Sequence, residues 1–265
     1  MRKVRILTQK ELYDIKKMYT EGIAIHKIAS ILKTDKKKVS KAIKEMGFKV
    51  TNGQFARKYK VNHNVFNKID TEEKAYMLGY LIADGSIGDY NNQKCLQLHL
   101  NSDDEYILKS FLNIMDSNYP IRTRSIQSFN TISKQSYFNI TSEQIYNDLI
   151  TLNMKNKNNI PNIPMNLMSH FIRGYFDGDG CFSISSRGDA EFYIMAEQNF
   201  LIQLCDIFKQ NNIIFKSIKH QKANMHKIRK SGKKEIKKIY DFLYKDATIY
   251  LQRKHDKMEE YIYGE

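Results

Sequence analysis

Two aspartates, Asp84 and Asp179, stand in the same local setting. The first ends the helical part of "LGYLIADG" (Leu78–Gly85), the second that of "RGYFDGDG" (Arg173–Gly180). The glycine, tyrosine, aspartate and final glycine of the two stretches match in register. A carboxylate at a helix C-terminus faces the negative end of the helix dipole, which disfavours it by a few tenths to ~1 kcal/mol. Small residues four apart, Gly79 with Ala83 and Gly174 with Gly178, give each helix a stripe along which two backbones approach closely. Pairing along those stripes brings Asp84 and Asp179 side by side, where two ionised carboxylates repel. A hard divalent cation removes both objections, because Mg2+ (or Mn2+) takes oxygen ligands.

The elements that must hold these acids are legible in outline. Asp70 with Glu73 reads as the start of the first motif helix. After it, "CLQLHLN" alternates Leu96, Leu98 and Leu100 against Gln97, His99 and Asn101, and a helix follows around Tyr106–Met115. After the second motif, "EFYIMAE" alternates Phe192, Ile194 and Ala196, with a helix around Phe200–Lys209. Further strands are expected at "IRTRSIQ", "YFNIT" and "FKSIKHQ", and helices at "SEQIYNDLITL" and "KEIKKIYDFLY". Each half is an αββαββα unit, and the class is α+β. The repeats run over about 69–160 and 161–265.

Hydrophobic residues make up 42% of the chain, with 17 Tyr and 14 Phe, enough for a core of its own. Lys and Arg outnumber Asp and Glu by 43 to 29, a net charge of +14, which points to a polyanion partner, nucleic acid before acidic membrane. Cys95, Cys181 and Cys205 are odd in number and lack C-x-x-C spacing, so they read as buried thiols of a reducing compartment. No apolar run reaches the ~18 residues of a membrane span, and the N-terminus does not read as a secretory signal. A soluble, intracellular protein is expected, in the cytoplasm of a prokaryotic or phage-infected cell, with an organelle as the alternative. "DGDGC" fails as a calcium loop, since Cys181, Phe182 and Gly188 fall where ligands or the turn glycine belong.

Ahead of the repeats, Thr8 and Glu11 form a capping box, and Leu12, Ile15, Met18 and Tyr19 recur at helical spacing. A second helix carries Ile25, Ile28, Ala29, Ile31 and Leu32, and a third Val39, Ile43 and Met46. "IASILKTDKKKVSKAI" resembles the helix-turn-helix DNA-binding motif, and its last helix presents Lys36, Lys37, Lys38, Ser40, Lys41 and Lys44. Residues 1–48 are expected to form this domain, and 49–68 a basic linker.

In tandem, "LGYLIADG" and "RGYFDGDG" resemble the paired motifs of the LAGLIDADG homing endonucleases, of the two-motif, monomeric type. The resemblance implies pseudo-twofold symmetry and two saddle-shaped antiparallel sheets lying over a long double-stranded DNA site. It implies double-strand cleavage across the minor groove, with Mg2+ held by Asp84 and Asp179 and by the carbonyls of Ala83 and Gly178. Hydrolysis of a phosphodiester needs such a metal to stabilise the pentavalent phosphate and to lower the pKa of the attacking water. By the same resemblance Lys157 and Lys254 are the assisting basic residues, with Lys155 and Arg253 as competitors. Asn101 and Glu197 fall where relatives often carry a solvent-organising Gln. Readout of the DNA is expected from Gln97, His99, Arg122, Arg124 and Gln127 in the first half and Tyr193, Lys219 and Gln221 in the second, since Arg and Gln suit base edges in the major groove. Two other classes use the same scaffold, an RNA-splicing maturase acting on intron RNA and a non-cleaving helix-turn-helix regulator.

Overall fold

Thr71 opens the helix that carries the first motif. The structure, a computed structural model, describes residues 7–21, 23–48, 59–90, 93–128 and 131–264. It divides into two units at Lys60/Val61.

The smaller unit is built of α1 (Gln9–Thr20), α2 (Ile25–Ile31) and α3 (Lys36–Glu45). The capping box forms: Thr8 N donates to Glu11 Oε2 at 2.8 Å and Glu11 N to Thr8 Oγ1 at 3.2 Å. Asp35 caps α3 by accepting from Lys37 N at 2.6 Å. Ile15, Tyr19, Ile28, Ala29, Val39, Ala42 and Ile43 make a separate small core. Ile31, counted above among the apolar positions of α2, instead points outward and is 59% exposed.

The larger unit repeats one plan. Its first half runs α4 (Glu72–Asp84), β1 (Ser86–Tyr90), β2 (Gln93–Asn101), α5 (Glu105–Ile114), β3 (Arg122–Ser128), β4 (Thr131–Thr141) and α6 (Glu143–Thr151). Its second runs α7 (Met168–Asp179), β5 (Cys181–Ile184), β6 (Ala190–Glu197), α8 (Gln198–Gln210), β7 (Lys219–Lys222), β8 (Met225–Ser231) and α9 (Lys233–Tyr244), followed by α10 (Gln252–Tyr263). The sheets share one antiparallel order, β1-β2-β4-β3 and β5-β6-β8-β7. Alternation along β2 and β6 works as expected: Leu96, Leu98 and Leu100, and Phe192, Ile194 and Ala196, are buried, while Gln97, His99 and Asn101, and Glu191, Tyr193 and Met195, are more exposed.

Four expectations are corrected. Asp70 does not cap α4; the Thr71 hydroxyl accepts from Lys74 N at 3.3 Å, and Asp70 pairs with Lys74 Nζ at 2.8 Å. The basic linker does not extend to residue 68, because Val61, Val65 and Phe66 are buried in the core of the larger unit; its residues 49–58 lie outside the described ones. Only Lys219–Gln221 of "FKSIKHQ" falls in a strand, β7, which continues to Lys222. Of the cysteines, all free, Cys95 is buried but Cys181 and Cys205 are half-buried.

The motif helices α4 and α7 form the spine of the core, with Tyr76, Leu78, Leu81, Phe171, Ile172 and Phe176 fully buried. Backbone contact occurs at the glycines. A Cβ on Gly174 would stand 2.0 Å from the Tyr76 carbonyl oxygen, and one on Gly178 would stand 2.4 Å from Cβ of Ala83. Real Cβ atoms do not come so near, so the small stripe is a steric requirement.

Candidate metal centre and nucleic-acid interface

Asp84 and Asp179 are the last residues of α4 and α7. The crossing of the two helices brings these ends together: Asp84 Oδ2 lies 3.5 Å from the point where a Cβ on Gly178 would stand. Burial raises the Asp84 pKa to about 6, helped by the negative charge of Asp179 and opposed by Lys254 and Lys157. Burial likewise raises that of Asp179, against the pull of Lys157 and Lys254. Two partly enclosed carboxylates at two dipole-negative helix ends are a donor set of oxygens only, which a hard divalent cation fits. The Ala83 carbonyl accepts from Lys157 Nζ at 2.9 Å, and a carbonyl has a second lone pair to offer.

The two nominated lysines sit differently. Lys157 is half-buried on the connector between the halves and makes its bond to Ala83 across to the end of α4. Lys254, in the first turn of α10, is 9% exposed and donates to the carbonyls of Phe176 (2.7 Å), Asp177 (2.8 Å) and Gly180. Burial lowers its pKa to about 8, while Asp177 supports its charge and Arg253 opposes it. Of the competitors, Lys155 is exposed, and Arg253 pairs with Asp104 at 3.2 Å. Asn101 is occupied in capping the turn after β2, accepting from Asp103 N at 3.2 Å. Glu197 ends β6 and stands at the N-cap of α8, where its side chain makes no capping hydrogen bond.

Sequence reasoning missed a buried polar network behind these acids. Asp177, in the second motif, stands where Ile82 stands in the first. Its carboxylate accepts from Tyr76 Oη at 2.8 Å and from Leu251 N at 2.7 Å, and burial lifts its pKa to about 6. Arg173, fully buried, donates to Glu72 (2.8 Å), His170 Nδ1 (2.8 Å) and the carbonyls of Leu243 (2.7 Å) and Ile249 (3.0 Å). The mismatches between the two motif copies were the one signal that could have found it: Leu78 against Arg173, and Ile82 against Asp177.

The outer face of the first sheet carries Gln97, His99, Arg122 and Arg124. His99 stacks on Tyr137 with ring centres 4.8 Å apart, and Arg124 forks onto Gln135 Oε1 at 2.7 and 3.0 Å while lying over Tyr137. The Nδ1 of His99 is buried without a hydrogen-bond partner. Gln127 does not share this face: opposite Ile132 in the ladder, it has the parity of Thr123 and Ser125. On the second sheet Tyr193 faces outward beneath Lys227 Nζ, 3.8 Å from its ring centre, and Lys219 pairs opposite Lys227. Gln221 lies at an irregularity in that ladder and turns its amide onto the His220 carbonyl at 3.1 Å. In the smaller unit Lys36, Lys37, Lys41 and Lys44 are exposed, and Lys38 and Ser40 half-buried.

A second acidic group, His255, Asp256 and Glu259, lies on α10. Both nitrogens of His255 are already bonded, Nδ1 to Asp256 at 2.9 Å and Nε2 to the Tyr240 hydroxyl at 3.0 Å, so this group is accounted for by its own hydrogen bonds. No helix among the described residues is long and apolar enough to cross a membrane.

No family model matches the chain. The uncharacterized protein MJ0314 of Methanocaldococcus jannaschii is 23% identical over 169 residues, 63% of this chain and 64% of that protein. The match therefore spans less than two thirds of the relative's length. Among solved structures, the I-LtrWI LAGLIDADG homing endonuclease bound to its target DNA is similar at 17% identity, covering 76% of this chain and 89% of that one with a TM-score of 0.50. The meganuclease I-SmaMI bound to uncleaveable DNA is similar at 13% identity, covering 73% of this chain and 88% of that one with a TM-score of 0.49. The fold is that of the LAGLIDADG homing endonucleases. The first of these likenesses carries that statement, and at 17% identity it is a likeness of fold.

Proposed function

We propose that the chain is a site-specific DNA endonuclease that makes divalent-metal-dependent double-strand breaks in a long recognition site, as the homing enzyme of a mobile intron or a free-standing gene. The observation that carries this reading is the meeting of Asp84 and Asp179 at the crossed ends of α4 and α7. A protein that only bound nucleic acid would gain nothing from two enclosed acids that repel each other.

Asp84 and Asp179, with the carbonyls of Ala83 and Gly178, would hold Mg2+ or Mn2+. When bound, such a cation activates water as a nucleophile and stabilises charge on the phosphate. The chain's own residues do the remaining work. The small stripe fixes the separation of the two acids, and Lys157 stands beside the Ala83 carbonyl with donors that can reach a phosphate oxygen. The +14 charge draws the duplex in. Arg122, Arg124, Gln97 and His99 on one sheet face, and Tyr193 and Lys219 on the other, supply the groove contacts. The lysine face of α3 adds phosphate contacts in the manner of a helix-turn-helix.

Selection of cleaved sequences from a random duplex library, with Mg2+ and with EDTA, tests the proposal. A recovered site of many base pairs, cut on both strands only with the metal, is the expected outcome. Selective binding with no cut would favour the regulator, and acceleration of intron splicing the maturase.

A further inference from the structure

Four consecutive residues, Leu251 and the first three of α10, bond between them to both halves of the larger unit. Leu251 N donates to Asp177 Oδ2 (2.7 Å), Gln252 N to the Tyr106 hydroxyl (2.7 Å) and Arg253 Nε to Asp104 Oδ2 (3.2 Å). Lys254 Nζ donates to the carbonyls of Phe176, Asp177 and Gly180. Arg253 and Gln252 thus reach the first half, and Leu251 and Lys254 the second.

Two of these contacts are reciprocal. The Asp177 carboxylate, from α7, sits at the N-terminus of α10, where unpaired N–H groups and the dipole favour an anion. The Lys254 ammonium, from α10, sits at the C-terminus of α7, where terminal carbonyls and the dipole favour a cation; the Phe176 carbonyl also accepts from Gly180 N at 2.8 Å. An ammonium has three N–H donors, and here three carbonyls take them. A lysine so spent has no donor left for a water or a phosphate.

The first half is built differently. Ile82 stands in place of Asp177, and no such exchange of caps is available to it. Lys157 is half-buried and gives one donor to the Ala83 carbonyl, a bond that leaves its other two uncommitted.

We propose that Lys254 is a positioning residue, which fixes Asp179 by capping the last turn of α7, and that Lys157 alone of the two lysines meets the scissile phosphate. The two halves of the site are then chemically unequal. The role given to Asp179 rests on the metal-site reading above; the capping of α7 does not.

Reductive methylation of the folded wild-type protein with formaldehyde and cyanoborohydride, read by mass spectrometry, tests the first part. Lys254 is expected to escape under conditions that dimethylate Lys157 and Lys41, whose side chain is 78% exposed. Labelling of Lys254 at the rate of Lys41 would overturn the proposal, as would protection of Lys157 equal to that of Lys254.

Binding of Mn2+ alone, followed by electron paramagnetic resonance well below the unfolding midpoint, tests the second. Removing a positive charge beside two carboxylates should by electrostatics alone tighten the metal. Loss of positioning does the opposite, since groups that orient metal ligands are worth 10–100-fold in affinity. Lys254→Met is expected to bind Mn2+ about tenfold more weakly than wild type, and Lys157→Met no more weakly. Unchanged or tighter binding by Lys254→Met would overturn the positioning role. A wild-type protein that binds no Mn2+ would count against the metal-site reading itself, while the labelling still decides where Lys254 stands. Should Lys254→Met fail to fold, the wild-type labelling remains decisive.

Discussion

Gly79 and Phe171 are in backbone contact across the two motif helices: a Cβ on Gly79 would stand 2.0 Å from the Phe171 carbonyl oxygen. Neither partner can yield, because each is backbone within a helix that the rest of the core surrounds. Gly79→Ala is therefore expected at or beyond the upper end of overpacking costs, about 3 kcal/mol. For a chain of this size that lowers the unfolding midpoint by roughly 6–12 °C. Thermal unfolding followed by circular dichroism checks this, and a midpoint within about 2 °C of wild type would contradict the packing described.

The Arg173–Glu72 pair has a different failure mode. Arg173 is fully buried and Glu72 half-buried, and Glu72 also accepts from Thr248 N at 2.7 Å. Glu72→Ala leaves the guanidinium with its carbonyl partners but without its paired carboxylate, and the weaker influence of Asp177 is left to support its charge. Breaking a buried pair on one side costs about 3–5 kcal/mol. Urea denaturation should show a lower midpoint with little change in slope.

His170 links this network to pH. Its Nδ1 accepts from Arg173, 2.8 Å away, and lies 3.8 Å from Glu72 Oε1, with Glu73 and Asp246 further out. Burial, followed by the charge of Arg173, holds its pKa below the ordinary 6.5 despite those acids. In acid the unfolded chain takes up a proton at His170 before the folded one does. The contribution is thus fully present above pH 6.5 and is lost as pH falls through the lowered value. His170→Gln should flatten that part of the stability–pH curve, and an unaltered curve would contradict it.

The smaller unit makes a separable prediction. Replacing Lys36, Lys37, Lys41 and Lys44 with Ala takes away as many as four charges that can neutralise phosphates. The slope of log K against log salt for duplex DNA should then become shallower by up to ~0.9 for each phosphate left unneutralised. An unchanged slope would assign that helix face another role.

Much of this was legible in the sequence because the motif helices, β2 and β6 have apolar patterns that one packing satisfies. The small stripe, the side-by-side acids and the αββαββα plan all follow from such local rules. What was not legible depends on partners distant in the chain. The α10 sequence "QRKHDKMEEYIY" buries only Lys254, Met258 and Ile262, so its periodicity is faint and its first turn is held by polar bonds instead. Asp177 reads as one more acid in "DGDG" until Leu251 and Tyr76 are brought against it. Val61, Val65 and Phe66 stand among basic and amide residues that mask them, and Gln127, at odd spacing from Arg122 and Arg124, falls on the opposite face of its strand.

The central claim is that Asp84 and Asp179 act together on one bound cation at a DNA phosphate. Asp84→Asn and Asp179→Asn, each assayed with Mg2+ on the sequence recovered by cleavage selection, test it most directly. Each variant is predicted to retain binding to that duplex and to make no double-strand break. Cutting of both strands at the wild-type rate by either variant would contradict the account.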